Sequence, residues 1–124
     1  MTRTILPESR IHPAIQQKIS EGRQDIVREV EAAIASNRVV VVGMSINPHP
    51  ARARRLLKAA GIEHHYLEYG SYLGEWRRRT ALKMWAGWHT FPMVFVDGVL
   101  IGGADDTAKL IESGELKATL SKPR

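Results

Sequence analysis

The feature that most constrains the fold is an unbroken run of four valines, Val39 to Val42. Consecutive β-branched residues predict a strand, and the absence of alternating polar residues predicts that both faces of this strand are buried. Such a strand belongs to a sheet that helices cover on both sides. The longest apolar stretch, from Val39 to Ile46, is strand-sized and far shorter than the roughly 18 residues that a membrane span needs.

The segments on either side of the valine run carry helix signals. Apolar residues recur at helical spacing within residues 24–35, which predicts an amphipathic helix before the strand. After the strand, Asn47 is a good N-cap and Pro48 suits the first helical position, so we expect a helix that ends at Gly61. Residues 63–68 predict a second strand, parallel to the first because a helix separates the two.

The later half of the chain predicts a turn, a helix, a hairpin and a closing helix. We expect the turn over residues 70–74 and the helix over residues 76–85. Asp97-Gly98 lies between two apolar runs and is the strongest hairpin signal of the chain. Asp105 or Asp106 is expected to cap a last helix, which ends near Gly114.

A length of 124 residues predicts one domain, and the segmentation divides the chain into an N-terminal arm and that domain. Residues 1–22 are polar, contain Pro7 and Pro13, and predict an irregular arm with one short helix. Residues 23–124 carry the alternating elements. The first residues lack the apolar core of a secretory signal, so we expect a cytoplasmic protein that binds no membrane.

The chain contains no cysteine. This count excludes disulfides, a thiolate nucleophile, thiolate-bound zinc and cysteine-held iron–sulfur clusters from the chemistry of this chain. Four of the five histidines, at positions 49, 64, 65 and 89, are candidate metal ligands, but they do not predict a metal site. Adjacent histidines on a strand point to opposite faces, and no carboxylate spacing supports them.

Three motifs, in the same order along the chain, resemble those of the glutaredoxin family. Residues 39–61 look like the strand, active-site loop and helix of glutaredoxins. Trp-His-Thr-Phe-Pro at residues 88–92 is similar to the Trp-Pro-Thr-Ile-Pro segment of monothiol members, and residues 95–106 resemble the family's hairpin and Gly-Gly-Cys-Asp turn.

This resemblance spans about residues 24–120 and implies a thioredoxin-like (glutaredoxin-like) α/β fold. In that fold, three layers, α/β/α, enclose a central four-stranded mixed sheet, to which this chain adds an N-terminal segment. The resemblance also implies a cis peptide bond before Pro92.

The chain departs from the family at the positions that carry its redox chemistry. Asn47 stands where the family has its nucleophilic cysteine, and Pro50 stands where dithiol members have the second. The lysine that usually precedes the active-site loop of the family is absent, and Met44 is the residue nearest to its position. A neutral amide neither attacks a disulfide nor replaces a thiolate as a cluster ligand. We therefore expect no thiol–disulfide oxidoreductase activity, no catalytic residue at these positions and no iron–sulfur cluster.

The glutathione groove of the family is separate from its redox chemistry, because backbone groups form much of the groove. The resemblance implies that an arginine and a lysine of the middle helix meet the glycyl carboxylate of glutathione, and that Thr90 is also at a contacting position. It implies that the residue before the cis-proline meets the cysteinyl backbone and that the turn after Gly-Gly meets the γ-glutamyl end. The matching positions are Arg79, Lys83, Thr90, Phe91, Pro92, Gly103, Ala104 and Asp105. The expected partner is glutathione, or an extended peptide or protein segment, with no other cofactor.

Three functions remain open from the sequence. The first is a non-redox module that binds glutathione, a peptide or a protein partner and acts in regulation. The second is a transferase-like enzyme in which the Ser45 hydroxyl activates the thiol of bound glutathione. The third is nucleic-acid binding through two arginine clusters, 52–58 and 77–79, which we do not expect because solvated helix faces account for them.

Overall fold

The computed structural model describes residues 2–22, 24–71 and 74–124 of the chain. A short 3-10 turn at Glu8–Arg10 comes first. The elements that follow are α1 (Pro13–Glu21), α2 (Gln24–Ser36), β1 (Val39–Gly43), α3 (Pro48–Ala59), β2 (His65–Glu68), α4 (Trp76–Ala86), β3 (Met93–Val96), β4 (Val99–Gly102), α5 (Ala104–Glu112) and α6 (Glu115–Leu120). Within the described residues, no helix is long and apolar enough to cross a membrane.

The four strands form one mixed sheet in the order β2-β1-β3-β4. β1 pairs in parallel with β2, as the intervening α3 predicts, and antiparallel with β3. β3 and β4 form the predicted hairpin, in whose turn Asp97 and Gly98 have φ angles of 49° and 79°. Aspartate and glycine both tolerate this left-handed conformation, which is why the dipeptide fixes the hairpin here.

The valine run divides the hydrophobic core into two halves, as predicted. Val40 and Val42 pack against apolar residues of α2 and α4 on one face of the sheet. Val39 and Val41 pack against apolar residues of α3, α5 and α6 on the other face. All four valines are buried. The predicted three-layer α/β/α arrangement around a mixed sheet is therefore confirmed.

The predicted elements are present, with corrections at their ends. β2 begins at His65 rather than at residue 63. Part of the predicted turn at residues 70–74 lies outside the described residues. α5 has Gly103 as its N-cap, and Asp106 accepts the Gly103 N–H from the third helical position (3.0 Å), so neither aspartate is the N-cap itself. The chain also continues beyond Gly114 into α6, which the sequence did not predict.

The interpretation of residues 77–79 as a solvated basic face was wrong for two of the three arginines. Arg78 lies between α2 and α4, where its guanidinium contacts the carboxylates of Asp25 (3.2 Å), Glu29 (2.6 Å) and Glu75. Arg79 is 6% exposed and belongs to the interior. Helical periodicity locates a side chain on a helix but does not reveal which polar groups the neighbouring elements present to it.

Arg38 connects three parts of the fold. Its Nε and Nη2 atoms donate to the two carboxylate oxygens of Asp97, both at 2.9 Å, and its Nη1 atom donates to the Leu120 carbonyl at 3.0 Å. The hairpin turn is thereby tied to the beginning of β1 and the end of α6. This hydrogen bond from Arg38 lowers the pKa of the Asp97 carboxyl below its ordinary value of 3.8.

Asp97→Asn is expected to destabilise the protein in a pH-dependent manner. The pKa of Asp97 is lower in the folded than in the unfolded chain, so the stabilisation is fully present above the ordinary pKa and is lost as the pH falls through the folded value. Urea unfolding midpoints should therefore differ between the two proteins at neutral pH and converge below about pH 4. Arg38→Gln, alone and combined with Asp97→Asn, isolates the pair. A difference that stays constant over this pH range would contradict the assignment.

Candidate functional site

The strand register brings the three predicted parts of the site to one edge of the sheet. Val42, next to the end of β1, pairs with Met93 at the beginning of β3. Gly102, at the end of β4, pairs with Val94. The loop after β1, the Phe91–Pro92 segment before β3 and the turn after β4 therefore all leave the sheet at this edge. These are the segments that contain Asn47, Pro92 and Gly103.

The first turn of α3 has no free N–H group for an anion. Asn47 is the N-cap, as predicted, and its Oδ1 atom accepts the His49 N–H at 3.0 Å. Pro48 and Pro50 occupy the first and third helical positions and have no N–H. The donors that a helix N-terminus normally offers to a thiolate or other anion are thus absent or already bonded. An iron–sulfur cluster does not fit here either, because the side chain at this position is an amide whose oxygen caps the helix.

The loop that leads into α3 is held close to the sheet. A Cβ atom on Gly43 would lie 2.7 Å from Pro50 Cβ and 2.9 Å from Tyr66 Oη, so only glycine allows this approach. The Ser45 N–H donates to the Gly70 carbonyl at 2.8 Å. Ile46 follows with a φ angle of 57° and is 83% exposed. The loop therefore presents an apolar side chain at the rim of the site.

The segment before β3 agrees with the family pattern. The Phe91–Pro92 peptide bond is cis, as the resemblance implied, and both residues are buried. Thr90 is exposed, and the Lys83 ammonium lies 5.6 Å from the centroid of the Phe91 ring. The ladder between β1 and β3 begins at Met93, so it leaves the backbone polar groups of Phe91 unused.

The turn after β4 supplies the third part of the site. Gly103 lies close to this segment, since a Cβ atom there would be 3.6 Å from the Pro92 carbonyl oxygen and 3.9 Å from Trp88 Nε1. Ala104 is the first residue of α5, so its backbone N–H lies in the first turn of that helix. Its side chain is buried. The Asp105 carboxylate accepts from Arg52 Nη1 of α3 at 2.6 Å. This exposed ion pair bridges α3 and α5 at the edge of the site.

Arg79 matches a position that contacts glutathione in the family, but in this structure its side chain is buried. Its Nη1 atom donates to the carbonyl oxygens of Tyr69, at 2.9 Å, and Gly74. Lys83, one turn later, is half-buried beside Phe91. Arg79 therefore supports the segment that follows β2 in this structure, while its contact with a ligand stays a prediction.

Sequence reasoning missed two polar features of this site. The Trp88 Nε1–H is buried without a hydrogen-bond acceptor among the described residues, next to the turn at Gly103. Arg52 was grouped with a basic cluster, whereas it pairs with Asp105. A signal existed for Trp88, since it begins the motif that resembles the family. No sequence pattern connects Arg52 with a residue 53 positions away.

The remaining polar features lie elsewhere. A recess of about 680 Å³ at the opposite end of the sheet is lined by the ends of α2 and α3 together with His64 and His65. Burial lowers the pKa of His64, which favours its neutral form. Among the residues that the structure describes, no three histidine, aspartate or glutamate side chains are grouped as a metal site would require.

Asn47→Ala is expected to lower the free energy of unfolding by about 1 kcal/mol, because the His49 N–H then loses the oxygen that caps it. Asn47→Ser keeps a capping oxygen and is the matched control, with a change of a few tenths of a kcal/mol at most. Chemical denaturation of the three proteins measures both differences. Equal stability of the alanine and wild-type proteins would mean that the cap does not stabilise α3.

Comparison with known proteins supports the resemblance that the motifs indicated. The glutaredoxin family model matches residues 39–101, about half of the chain. A glutaredoxin-like protein of Dictyostelium discoideum is 47% identical over 108 residues, which cover 87% of this chain and 88% of that protein.

Two solved structures have the same fold. Oxidized glutaredoxin 2 from Chlamydomonas reinhardtii is 28% identical, with a TM-score of 0.69 over 81% of this chain and 94% of that one. A buckwheat glutaredoxin–glutathione complex is 25% identical, with a TM-score of 0.70 over 80% of this chain and 90% of that one. The predicted thioredoxin-like fold is thus confirmed, and this cysteine-free chain belongs to the glutaredoxin family.

Proposed function

We propose that the protein binds glutathione in the groove at this sheet edge and does so without redox turnover. The observation that carries the proposal is the convergence of Phe91–Pro92, Gly103–Ala104 and the loop at Asn47 on one edge. Glutathione binding does not require the redox cysteine, because backbone groups form most of the groove. Thiol–disulfide chemistry, in contrast, requires the sulfur atom of that cysteine. A glutathione complex of a buckwheat relative with the same fold supports the choice of ligand.

The cysteinyl part of glutathione would lie along the backbone of Phe91. The sheet ladder does not use the polar groups of this residue, so a ligand backbone has partners there. The γ-glutamyl carboxylate would meet the first N–H groups of α5, whose helix N-terminus favours an anion. An extended peptide or protein segment offers the same backbone groups and competes for the same positions.

The glycyl carboxylate would meet Lys83. This ammonium is half-buried beside Phe91, and no carboxylate among the described residues pairs with it, so it is available to an anionic ligand. Arg79 is less suited to a first test, because its guanidinium already holds two backbone carbonyls and its removal would disturb the fold. The Asp105 carboxylate is exposed and paired with Arg52. Because an exposed ion pair contributes little free energy, a ligand ammonium can replace Arg52 as the partner of Asp105 at small cost.

Lys83→Met is expected to weaken glutathione binding about tenfold or more, since one charge-assisted hydrogen bond contributes roughly 1.5–3 kcal/mol. Methionine retains most of the apolar stem, so the packing beside Phe91 is largely kept. Calorimetry measures the affinity, and amide chemical shifts in the presence of glutathione show where it binds. The signals of Thr90, Phe91, Gly103 and Ala104 should move.

Lys58→Met on the exposed face of α3 is the matched control and should leave the affinity unchanged. The absence of heat and of shift changes at millimolar glutathione would overturn the proposal. Conjugating activity that disappears in Ser45→Ala would instead favour the transferase alternative. Shift changes confined to other elements would place the ligand outside this groove.

Asn47→Cys tests whether the site has lost more than its nucleophile. With prolines at the first and third helical positions, the introduced thiol has few N–H donors, so we expect its pKa to stay near the ordinary value of about 8.5. Adding Pro50→Ala restores one donor and should lower that pKa by about one to two units. Thiolate absorbance against pH measures both values, and thermal melting checks that each variant is folded. A strongly lowered pKa in the single variant would contradict this account.

A further inference from the structure

Most of the exposed apolar side chains belong to three segments, the N-terminal arm, α1 and α4. Nine large hydrophobic residues are exposed among the described residues, and seven of them belong to the N-terminal arm, α1 and α4. These seven are 37–66% exposed: Ile5, Leu6, Ile15, Ile19, Trp76, Met84 and Trp85. Isolated exposed hydrophobic residues are normal on a protein surface, whereas a cluster of this size marks an interaction site. We call these seven residues the α1–α4 face.

α1 lacks the support that a helix of its length requires. It has nine residues, none of which is buried. Among the described residues, its side-chain hydrogen bonds stay within the same segment, as from Gln16 Nε2 to the carbonyls of Glu8 and Ile11 (both 2.7 Å). Isolated helices shorter than about 12–15 residues are marginal in water, and most helical stability comes from packing of an apolar face. The apolar side of α1 therefore needs a cover that the rest of this chain supplies only in part.

A recess lies between α1 and α4. It measures about 390 Å³, and its lining includes Ile19 of α1 together with Arg77, Thr80, Ala81, Met84 and Trp85 of α4. Ile19 and Met84 are 45% and 66% exposed, so apolar side chains protrude beside the recess. The N-terminal arm approaches the same helix, since the Arg3 guanidinium lies against Gly87 at the end of α4. A surface that has both a recess and protrusions is able to complement a copy of itself across a two-fold axis.

We propose that the α1–α4 face is the interface of a homodimer, in which a second copy of this chain covers it. A standard interface uses about 800 Å² from each partner, and seven large side chains with roughly half of their surface exposed supply an area of that order.

Charge also favours a second copy on this side. The net charge of the chain is +5, so two copies repel each other where they present only cations, as the outer face of α3 does. The α1–α4 face carries both signs, with Lys18 and Glu21 on α1 and Arg77 on α4. A two-fold arrangement there brings opposite charges within reach of each other.

Sedimentation of the full chain at protein concentrations from about 1 to about 200 μM tests the proposal over the range of ordinary dimer affinities. We expect a particle of twice the 13.9 kDa monomer mass at the upper end. Ile19→Glu and Met84→Glu each place a carboxylate in the recess and should raise the dimer dissociation constant at least about tenfold. Neither residue is buried, so both variants should fold, and circular dichroism verifies this.

Val99→Glu is the matched control, since Val99 is 63% exposed but lines a recess with residues of α5 and α6 rather than of α1 and α4. This variant should dimerise like the wild type. Hydrogen exchange adds a second readout: amides of α1 should become more protected as wild-type concentration rises, and not in Met84→Glu. A wild type that is monomeric throughout, a dimer that survives both face variants, or one that only Val99→Glu dissociates would each overturn the proposal.

Discussion

The burial of β1 on both faces is the constraint on which the rest of the structure depends. Alternate valines of this strand belong to different halves of the core, so neither face of the strand can be exposed to solvent without loss of packing. A slip of one residue would turn every side chain of the strand to the opposite face. The register with β3 is therefore firmly specified, and with it the position of Pro92 beside the loop at Asn47. The geometry of the groove follows from the core rather than from contacts within the groove.

This dependence explains how the proposed groove can exist in a chain without the family's cysteine. Thiol chemistry resides in one side-chain atom and in the N–H groups that stabilise its anion, and the chain replaces both with Asn47 and two prolines. The backbone surfaces at Phe91 and Ala104 require no particular reactive side chain. They are retained as long as β1, β3 and β4 keep their register. Substitution at the first turn of α3 therefore replaces the residues of the thiol chemistry and leaves the backbone of the proposed groove in place.

Features that arise from neighbouring residues in sequence could be predicted, and features that arise from distant ones could not. The N-cap at Asn47 and the turn at Asp97-Gly98 depend on local backbone preferences, and both are found as predicted. The burial of Arg79 depends on carbonyl groups of the segment after β2, and a backbone carbonyl leaves no trace in residue identity. Gly114, interpreted as the end of a helix, adopts a φ angle of 81° and also precedes α6. The glycine that was interpreted as the end of one helix is therefore also the residue before the next, so the sequence did not indicate α6.

Helix α4 links the two surfaces discussed above. Leu82 faces the core, Lys83 lies beside Phe91 at the groove, and Met84 lines the recess toward α1. Three successive residues of α4 thus contact three different surroundings, so the helix has no single apolar stripe. Because adjacent helical positions point about 100° apart, Met84 and Lys83 project in different directions, whereas Trp76 lies two turns before Lys83 on the same side of the helix. The ligand groove and the α1–α4 face therefore use different side chains of the same helix.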